Sequence, residues 1–301
     1  MKNDIVAIVV TYNRKMMLFE CLRHLAEQTV QDFDIIVVDN ASTDGTGQDL
    51  APFVETGKII YLNPGENLGG AGGFLFGIKQ AAERGYRYFW LMDDDTLPYP
   101  DALEQFLVAD RALDGKYGFL SGKALWTDGK LCRMNLQKKD VFHRLKNRDG
   151  SLIPIGVATF VSMFTKAEIV QDVGLPIPEF FIWTDDVEYT DRISAKYPCY
   201  LVSKSCVTHA MSSNIGVNLA SEGSERLERY RYCYRNEVYV YRRHGIKGAF
   251  YLLLKDFYHA TRILLFSEGW RWKKLRVLCL GIREDFSFRP GIPYLRSHTD
   301  E

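Results

Sequence analysis

The stretch FWLMDDDTLP, residues 89–98, joins a short apolar run to three consecutive aspartates. An apolar run of this length that ends in turn residues is typical of a strand in a buried parallel sheet. Adjacent carboxylates repel each other unless a cation or a hydrogen-bond donor compensates their charge. The stretch therefore predicts a strand whose end lies at a site that holds positive charge.

The residues before this stretch repeat the same pattern three times. Short β-branched runs alternate with helical patterns, which predicts βαβ units and a mostly parallel sheet flanked by helices, an α/β fold. Ligands of open α/β sheets bind beyond the carboxyl ends of the strands, so we expect the loops there to form a site. The predicted strands cover residues 5–10, 34–39, 58–62 and 86–92, followed by the loops TYNR, NASTDGT, NPGENLGGAGG and DDDTLP.

The regular alternation weakens after about residue 115. Residues 117–126 and 153–165 are predicted to be strands, and the polar, basic stretch 127–150 between them is typical of a mobile loop. Residues 181–197 are predicted to begin extended and become helical, with Thr184 or Asp185 as the N-cap. Residues 211–225 have the composition of a flexible loop.

The composition is that of an ordinary globular protein. Of its 301 residues, 47% are hydrophobic, and Lys+Arg and Asp+Glu are equal at 38 each, which does not favour nucleic-acid binding. The six scattered cysteines form no C-x-x-C pair, which predicts reduced thiols and a cytoplasmic protein. We expect no signal peptide and no membrane span, because no apolar run approaches the roughly 18 residues that a span needs.

Charge is distributed unevenly along the chain. Residues 226–283 contain 14 Lys/Arg and four Asp/Glu, so this part is basic while the rest is acidic. We therefore predict one α/β domain over residues 1–225 and a basic, aromatic-rich helical region over residues 226–301.

Asp93 and Asp95 are separated by one residue in a loop that follows a strand. This spacing lets both carboxylates reach one hard cation, Mg²⁺ or Mn²⁺, while a bound diphosphate supplies further oxygen ligands. The alternative is structural: one aspartate caps the next helix, predicted from PDALEQFL, and the others are solvated.

The glycine-rich segment GENLGGAGGFLFG begins at Gly65. It matches neither G-x-x-x-x-G-K-[ST] nor G-x-G-x-x-G after the first strand, which disfavours a P-loop kinase and a Rossmann dehydrogenase. Its glycines favour a backbone that approaches a ligand closely at a helix N-terminus, and a tight turn is the alternative.

A second carboxylate cluster lies in FIWTDDVEY, where Trp183 precedes Asp185, Asp186 and Glu188. An aromatic platform beside a carboxylate suits a sugar-transferring site, in which a general base takes a proton from an acceptor hydroxyl. The alternative is an acidic first helical turn favoured by the helix dipole. His209, in CVTHAMSS, is by itself more typical of a hydrogen-bonded core or surface residue than of a metal ligand.

Five motifs in this order, VVTYNR, VVDNASTDGT, NLGGAGGF, MDDDTLP and FIWTDDVEY, resemble those of the inverting, metal-dependent GT-A glycosyltransferases of family 2. The resemblance covers roughly residues 4–210. The last three motifs are most similar to those of bacterial galactofuranosyltransferases, and rhamnosyltransferases are close relatives. The resemblance implies a GT-A fold, a UDP-galactofuranose donor with dTDP-rhamnose as the alternative, and Mn²⁺ or Mg²⁺ as cofactor.

The resemblance also implies site residues. Those that would line the nucleotide pocket or contact the donor are Thr11, Asn13, Arg14, Asp39, Asn67, Gly69, Gly70, Gly73, Asp93 and Asp94. Asp93 and Asp95 would hold the metal, and His209 would complete its coordination. Asp186 would be the general base, or Asp185, whereas Trp183 and Glu188 would order the acceptor.

The implied acceptor is a glycan or a polyprenyl-diphosphate-linked sugar of bacterial surface polysaccharide synthesis. Residues 246–265 have an apolar helical face, and GWRWKKLRVLCLGIR adds tryptophans to basic residues, a composition that suits an anionic membrane surface. The alternative is that this face packs on the catalytic domain or on another subunit. Further alternatives are a non-catalytic GT-A scaffold and, more weakly, nucleic-acid binding through residues 231–243, although no nucleic acid is expected.

Overall fold

The computed structural model describes residues 3–146, 148, 150–214, 216, 218–223, 226–284 and 287–295. The strands within them are β1 Ile5–Thr11, β2 Phe33–Asp39, β3 Ile60–Leu62, β4 Tyr88–Asp93, β5 Thr96–Pro98, β6 Phe119–Leu125, β7 Leu152–Ile155, β8 Met163–Lys166 and β9 Cys199–His209. The α-helices are α1 Lys15–Ala26, α2 Thr46–Glu55, α3 Gly69–Glu83, α4 Ala102–Ala112, α5 Ala167–Val173, α6 Asp185–Ser194, α7 Arg229–Arg242, α8 Gly245–Phe266 and α9 Arg271–Glu284.

The described strands form one mixed sheet in the order β3-β2-β1-β4-β8-β6-β9-β5, with β7 paired to β9. The first four strands are parallel, which confirms the predicted α/β fold class. In this register Thr11 lies opposite Asp39 of β2, and Val10 lies opposite Asp93 of β4. The carboxyl ends of the three central parallel strands therefore meet at one edge of the sheet.

Apolar layers cover both faces of the sheet, and this explains why β1 is a continuous apolar run. Ile8 belongs to a buried cluster with Phe74 of α3, while Val9 belongs to a second cluster with Leu18 of α1 on the other face. A strand covered on both sides gains from apolar residues at every position.

One strand prediction was wrong. Residues 153–165 do not form a single strand but contribute to β7 and β8, which are joined by an irregular connection. The connection leaves the sheet at Gly156, whose amide donates to the Lys138 carbonyl and where a Cβ would lie 2.5 Å from the Lys139 carbonyl oxygen. Close approach of the 138–139 backbone, with an isolated antiparallel bridge between Lys138 and Val157, thus replaces a continuous strand in this part of the chain.

The polar stretch 127–150 is irregular, yet some of its polar residues are buried. Asn135 and Gln137 lie in the interior, and Gln137 donates to the Gly122 carbonyl in the middle of β6. Residues 147 and 149 of this stretch, and residues 215, 217, 224 and 225 of the predicted loop 211–225, lie outside the described part of the chain.

Helix α7 packs directly on the α/β layers. Tyr239 and Val240 belong to the same buried cluster as Ile177 and Phe180, and the Leu175 amide donates to the Pro293 carbonyl at 2.7 Å. Side chains from both sides of residue 225 thus share a core. The division into a domain and an appendage at that residue stays a prediction.

Helix α8 turns two polar side chains towards α7 and exposes most of its large apolar side chains, although Leu252 and Ile263 are buried. Lys255 forms an ion pair with Glu237 of α7 at 2.5 Å, and His259 hydrogen-bonds to Tyr234 of α7. The opposite face exposes Ile246 to 90% and Phe257 to 72%. The alternative in which this face packs on the catalytic domain is therefore wrong. Within the described ranges, every helix is too short or too polar to cross a bilayer.

Candidate functional site

Three side chains that can ligate a metal meet at the carboxyl end of β4. Asp93 ends that strand, and Asp95 precedes β5, whose Thr96 pairs with His209 of β9. One ligand atom each from Asp93, Asp95 and His209 lie within 4.8 Å of one another. Two carboxylate oxygens and an imidazole nitrogen are a donor set that suits Mn²⁺ or Mg²⁺, and they leave room for diphosphate oxygens. The residues present therefore fit the predicted metal.

Hydrogen bonds to both ring nitrogens fix His209. Its Nε2 donates to Asp95 Oδ1 at 2.9 Å, and its Nδ1 donates to Asn135 Oδ1 at 2.7 Å. Burial lowers the pKa of His209, but the bond and the negative charge of Asp95 outweigh it and raise this pKa to about 10. Burial likewise opposes ionisation of Asp95, yet His209 and Arg14 hold its pKa at about 2. The two side chains thus form a buried ion pair.

The middle aspartate of the three, Asp94, forms an ion pair with Arg14. Asp94 accepts a hydrogen bond from the Thr11 hydroxyl at 2.8 Å and pairs with Arg14 at 2.9 Å, and the same guanidinium reaches Asp95 at 2.8 Å. Despite this partner, burial raises the pKa of Asp94 to about 7. Arg14 thus supplies part of the positive charge that three adjacent aspartates need, because it compensates two of the three carboxylates. Contacts of Thr11, Arg14 and Asp94 with a nucleotide stay predictions.

Asn13 and Asp39 join the loops that follow β1 and β2. Asn13, at a φ of 52°, accepts from the Thr43 amide at 2.7 Å. Asp39 is fully buried and accepts from the Ser42 amide and the Tyr61 hydroxyl. Both side chains order the loops at this edge of the sheet. The place of Asn13 in the nucleotide pocket and the contact of Asp39 with the base or ribose stay predictions.

The glycines at the start of α3 have different surroundings. A Cβ on Gly73 would lie 2.6 Å from Val10 of β1, and one on Gly69 would lie 2.1 Å from the Phe181 carbonyl oxygen. Gly70 alone of the predicted glycines has an open side, with Asp185 Oδ2 4.0 Å from the position of a Cβ. Close packing of α3 on the sheet thus requires a glycine at position 73, and the predicted contact of Gly73 with the donor stays a prediction.

Asn67 and Gly69 form the turn into α3. The Asn67 side chain accepts from the Gly69 amide at 2.9 Å, and the Gly69 carbonyl accepts from Asn40. Gly69 has a φ of +69°, a conformation that glycine adopts without the steric cost of a Cβ. The turn directs the open side of Gly70 towards Asp185, and the predicted donor contacts of these residues stay predictions.

The turn before α6 has a strained backbone, and a side chain from α7 stabilises it. Phe181, Trp183 and Thr184 all have positive φ values, which are uncommon for residues with a side chain. Thr184 is the N-cap residue of α6, as one of the two alternatives predicted, but its side chain makes no cap bond. Asn236 of α7, fully buried, donates to the carbonyls of Phe180, Ile182 and Trp183 within 3.2 Å. Sequence reasoning missed Asn236.

Asp185 and Asp186 open α6 close to the metal-ligand set. Burial raises the pKa of Asp186 to about 6, with Asp93 adding to the effect and Lys138 opposing it. Burial and then the charge of Asp186 raise the pKa of Asp185 well above its ordinary range. Asp186 is the more exposed of the two, and its Oδ1 accepts from the Val187 amide. The arrangement favours Asp186 as the ionised partner and Asp185 as the neutral one.

Glu188 is buried in the first turns of α6, and its predicted role at the acceptor stays a prediction. Its side chain is 2% exposed and forms ion pairs with Arg192 of α6 at 2.7 Å and with Arg243, the residue after α7, at 2.5 Å. The first pair lies within α6, and the second joins α6 to the end of α7. Trp183 is partly buried against the Tyr230 ring, and its role as an acceptor platform stays a prediction.

A family model described as glycosyl transferase family 2 matches residues 6–168, more than half of the chain. Galactofuranosyltransferase GlfT1 of Mycobacterium tuberculosis is 29% identical over 314 residues, which cover 97% of this chain and 99% of that protein. GlfT1 of Mycolicibacterium smegmatis is 26% identical over 260 residues, 81% of this chain and 84% of that protein.

Solved structures share the architecture. Mannosyltransferase PcManGT from Pyrobaculum calidifontis, solved with GDP-Man and Mn²⁺, has a TM-score of 0.61 at 15% identity and covers 95% of this chain and 88% of its own. TarS 1–349 of S. aureus, solved with UDP, has a TM-score of 0.54 at 16% identity and covers 94% and 72%. At these identities the likeness shows the fold alone. The chain thus belongs to glycosyltransferase family 2 and is a glycosyltransferase with the GT-A fold.

Proposed function

We propose that this protein transfers galactofuranose from UDP-galactofuranose, with inversion, to a hydroxyl of a glycan or polyprenyl-diphosphate-linked acceptor in bacterial surface polysaccharide synthesis. The observation that carries the proposal is the meeting of Asp93, Asp95 and His209 within 4.8 Å at the strand ends. Near-full-length similarity to galactofuranosyltransferases supports the choice of sugar.

The chemistry divides between two groups of side chains. A divalent cation held by Asp93, Asp95 and His209 would neutralise the charge that develops on the leaving diphosphate. Asp186 takes the proton from the acceptor hydroxyl as that oxygen attacks the anomeric carbon from the face opposite the diphosphate. One displacement of this kind inverts the anomeric centre. A carboxylate with a pKa of about 6 is ionised at neutral pH and still basic enough for this step.

Donor turnover tests the proposal. UDP-galactofuranose, UDP-galactopyranose, UDP-glucose and dTDP-rhamnose would each be incubated with Mn²⁺ or EDTA, and nucleotide release followed. We expect Mn²⁺-dependent release of UDP from UDP-galactofuranose, and this rate should fall at least a hundredfold in Asp95→Ala. Transfer to an acceptor should fall at least a hundredfold in Asp186→Asn. Preference for dTDP-rhamnose would change the assigned sugar and leave the protein a glycosyltransferase. Donor binding would be measured alongside by calorimetry, and absence of metal-dependent binding of every donor would favour the non-catalytic scaffold.

The second part of the proposal concerns location. We propose that the protein binds an anionic membrane at the cytoplasmic side through one surface, the outer face of α8 with the turn into α9. This outer face consists of Ile246, Phe250, Leu253, Leu254, Phe257, Tyr258, Leu264, Leu265, Phe266, Trp270 and Trp272, all exposed. Apolar side chains on this scale at a surface are typical of a contact with lipid or protein.

Charge favours a membrane over a second copy of the chain. Arg271, Lys273 and Arg276 are exposed beside the two tryptophans at the start of α9. A two-fold dimer through this surface would bring a second set of the same cations to the interface, which costs free energy by repulsion. An anionic bilayer instead attracts each cation near its surface by about 1 kcal/mol and accepts tryptophan at its interface.

Vesicle sedimentation tests this location. We expect binding to vesicles with anionic phosphatidylglycerol and little binding to phosphatidylcholine alone, with Phe257→Ser weakening the partition about tenfold by loss of buried apolar area. Phe53→Ser on α2 is the matched control, because Phe53 is 41% exposed on another surface. Unchanged partition in Phe257→Ser, or a concentration-dependent dimer that Phe257→Ser dissociates, would contradict the membrane assignment.

A further inference from the structure

The stretch after β6, predicted as a polar loop, places a buried amide next to a candidate metal ligand. Asn135 and His209 are separated by 74 residues in the chain, and Asn135 Oδ1 lies 2.7 Å from His209 Nδ1. Both side chains are buried, so water does not compete for this bond. Within the described part of the chain, no other contact of His209 Nδ1 is shorter.

The amide of Asn135 is fixed at both of its ends. Its Nδ2 donates to the Thr159 hydroxyl at 2.9 Å, and its Oδ1 also accepts from the Cys132 thiol at 2.9 Å. Cys132 is itself buried in an apolar cluster with Val161 and Val207. In this arrangement the amide oxygen is the Asn135 atom that faces the His209 ring.

An acceptor at Nδ1 determines which nitrogen of His209 is available to a cation. When Nδ1–H is donated to Asn135, Nε2 is the atom that faces Asp95 and the space between the carboxylates. A fixed hydrogen bond to the distal ring nitrogen orients a metal-binding histidine, and loss of such partners typically lowers metal affinity 10–100-fold. Asn135 meets this requirement without contacting the cation.

We infer that Asn135 is the positioning residue for His209 in the metal site, and that it sets the ring orientation and the proton location needed for coordination through Nε2. The inference rests on the proposed metal-dependent transfer. It assigns a function to a residue that lies far from every family motif in the sequence.

Mn²⁺ binding in the presence of UDP tests this inference without any need for an acceptor or for turnover. The dissociation constant of Mn²⁺ would be measured by calorimetry and by the loss of free Mn²⁺ signal in electron paramagnetic resonance. We expect Asn135→Leu, which removes the acceptor, to weaken Mn²⁺ binding 10–100-fold. Asn135→Asp retains an acceptor of similar size, and we expect it to stay within about threefold of wild type.

Asn214→Leu is the matched control. The Asn214 side chain accepts from the Arg133 amide and donates to the Leu131 carbonyl, so its loss disturbs the same loop without touching His209. Equal Mn²⁺ affinity in wild type and folded Asn135→Leu would overturn the inference. Equal weakening in Asn214→Leu would do so too, because it would assign the effect to the loop.

Wild-type protein supplies a second test if Asn135→Leu does not fold. With ¹⁵N-labelled histidine and diamagnetic Mg²⁺ plus UDP, we expect His209 to carry its proton on Nδ1. A proton on Nε2 with Mg²⁺ bound would overturn the inference. Failure of wild type to bind Mn²⁺ or Mg²⁺ at all would instead contradict the proposed function, so the two failures are distinguishable.

Discussion

At the scale of single residues, the two adjacent aspartates at the start of α6 differ in their surroundings. Asp186 is the more exposed, and burial raises its pKa to about 6, whereas burial and the charge of Asp186 raise the pKa of Asp185 well above its ordinary range. A base must be unprotonated, so acceptor-dependent transfer should fall about tenfold per pH unit below pH 6, at saturating Mn²⁺. A pH–rate profile of kcat from pH 5 to 8 measures this. Transfer that stays constant down to pH 5 would exclude Asp186 as the base.

Individual residues also mark what the sequence could and could not predict. Asp93 and Asp95 were recognisable because their spacing after an apolar strand is a local pattern. His209 entered only through the family resemblance, since a lone histidine carries no local signal. Asn135 could not be found, because its partner lies 74 residues further along the chain and nothing beside it in sequence indicates a buried amide.

At the scale of elements, α7 determines the geometry of the turn that carries the candidate base. Asn236 holds three carbonyls of a turn in which three residues have positive φ values. Asn236→Ala would leave buried carbonyls without donors, and we expect a loss of about 1–3 kcal/mol in the free energy of unfolding, together with a lower kcat. Chemical denaturation measures the first effect.

Asn63→Ala is the control for this prediction, because Asn63 lies in an exposed turn of the loop after β3. Equal stability of Asn236→Ala and Asn63→Ala would refute the role given to α7.

The strained turn itself was not predictable, since the sequence pattern after Phe181 indicates a helix start without revealing that a distant asparagine stabilises it.

The strands too were predictable only where local sequence decided them. β1, β2 and β4 were predicted because strands covered on both faces are continuous apolar runs. The run from residue 153 to 165 looked like a strand for the same reason, yet only its ends belong to sheet strands, because the 138–139 backbone lies against it at Gly156. Contacts between distant segments, which composition does not encode, decided these residues.

At the scale of the whole molecule, the exposed apolar face of α8 is the feature that the sequence predicted only in part. Periodicity indicated an apolar face on the helix, but not that Lys255 and His259 turn inwards to α7 while most of the large apolar side chains face out.

The proposed membrane contact predicts an effect of charge. Lys273→Glu beside the exposed tryptophans should reduce binding to anionic vesicles severalfold and reduce the salt dependence of that binding. Lys116→Glu, on a distant exposed turn, is the charge-matched control and should change neither.

The central claim is that this glycosyltransferase binds UDP-galactofuranose through a cation held by Asp93, Asp95 and His209. Calorimetric titration of the full chain with UDP-galactofuranose, in Mn²⁺ and in EDTA, tests it most directly because no acceptor is required. We predict binding in Mn²⁺ that is lost in EDTA and weakened at least tenfold in Asp95→Ala. Binding of equal strength in EDTA, or in Asp95→Ala, would contradict the account.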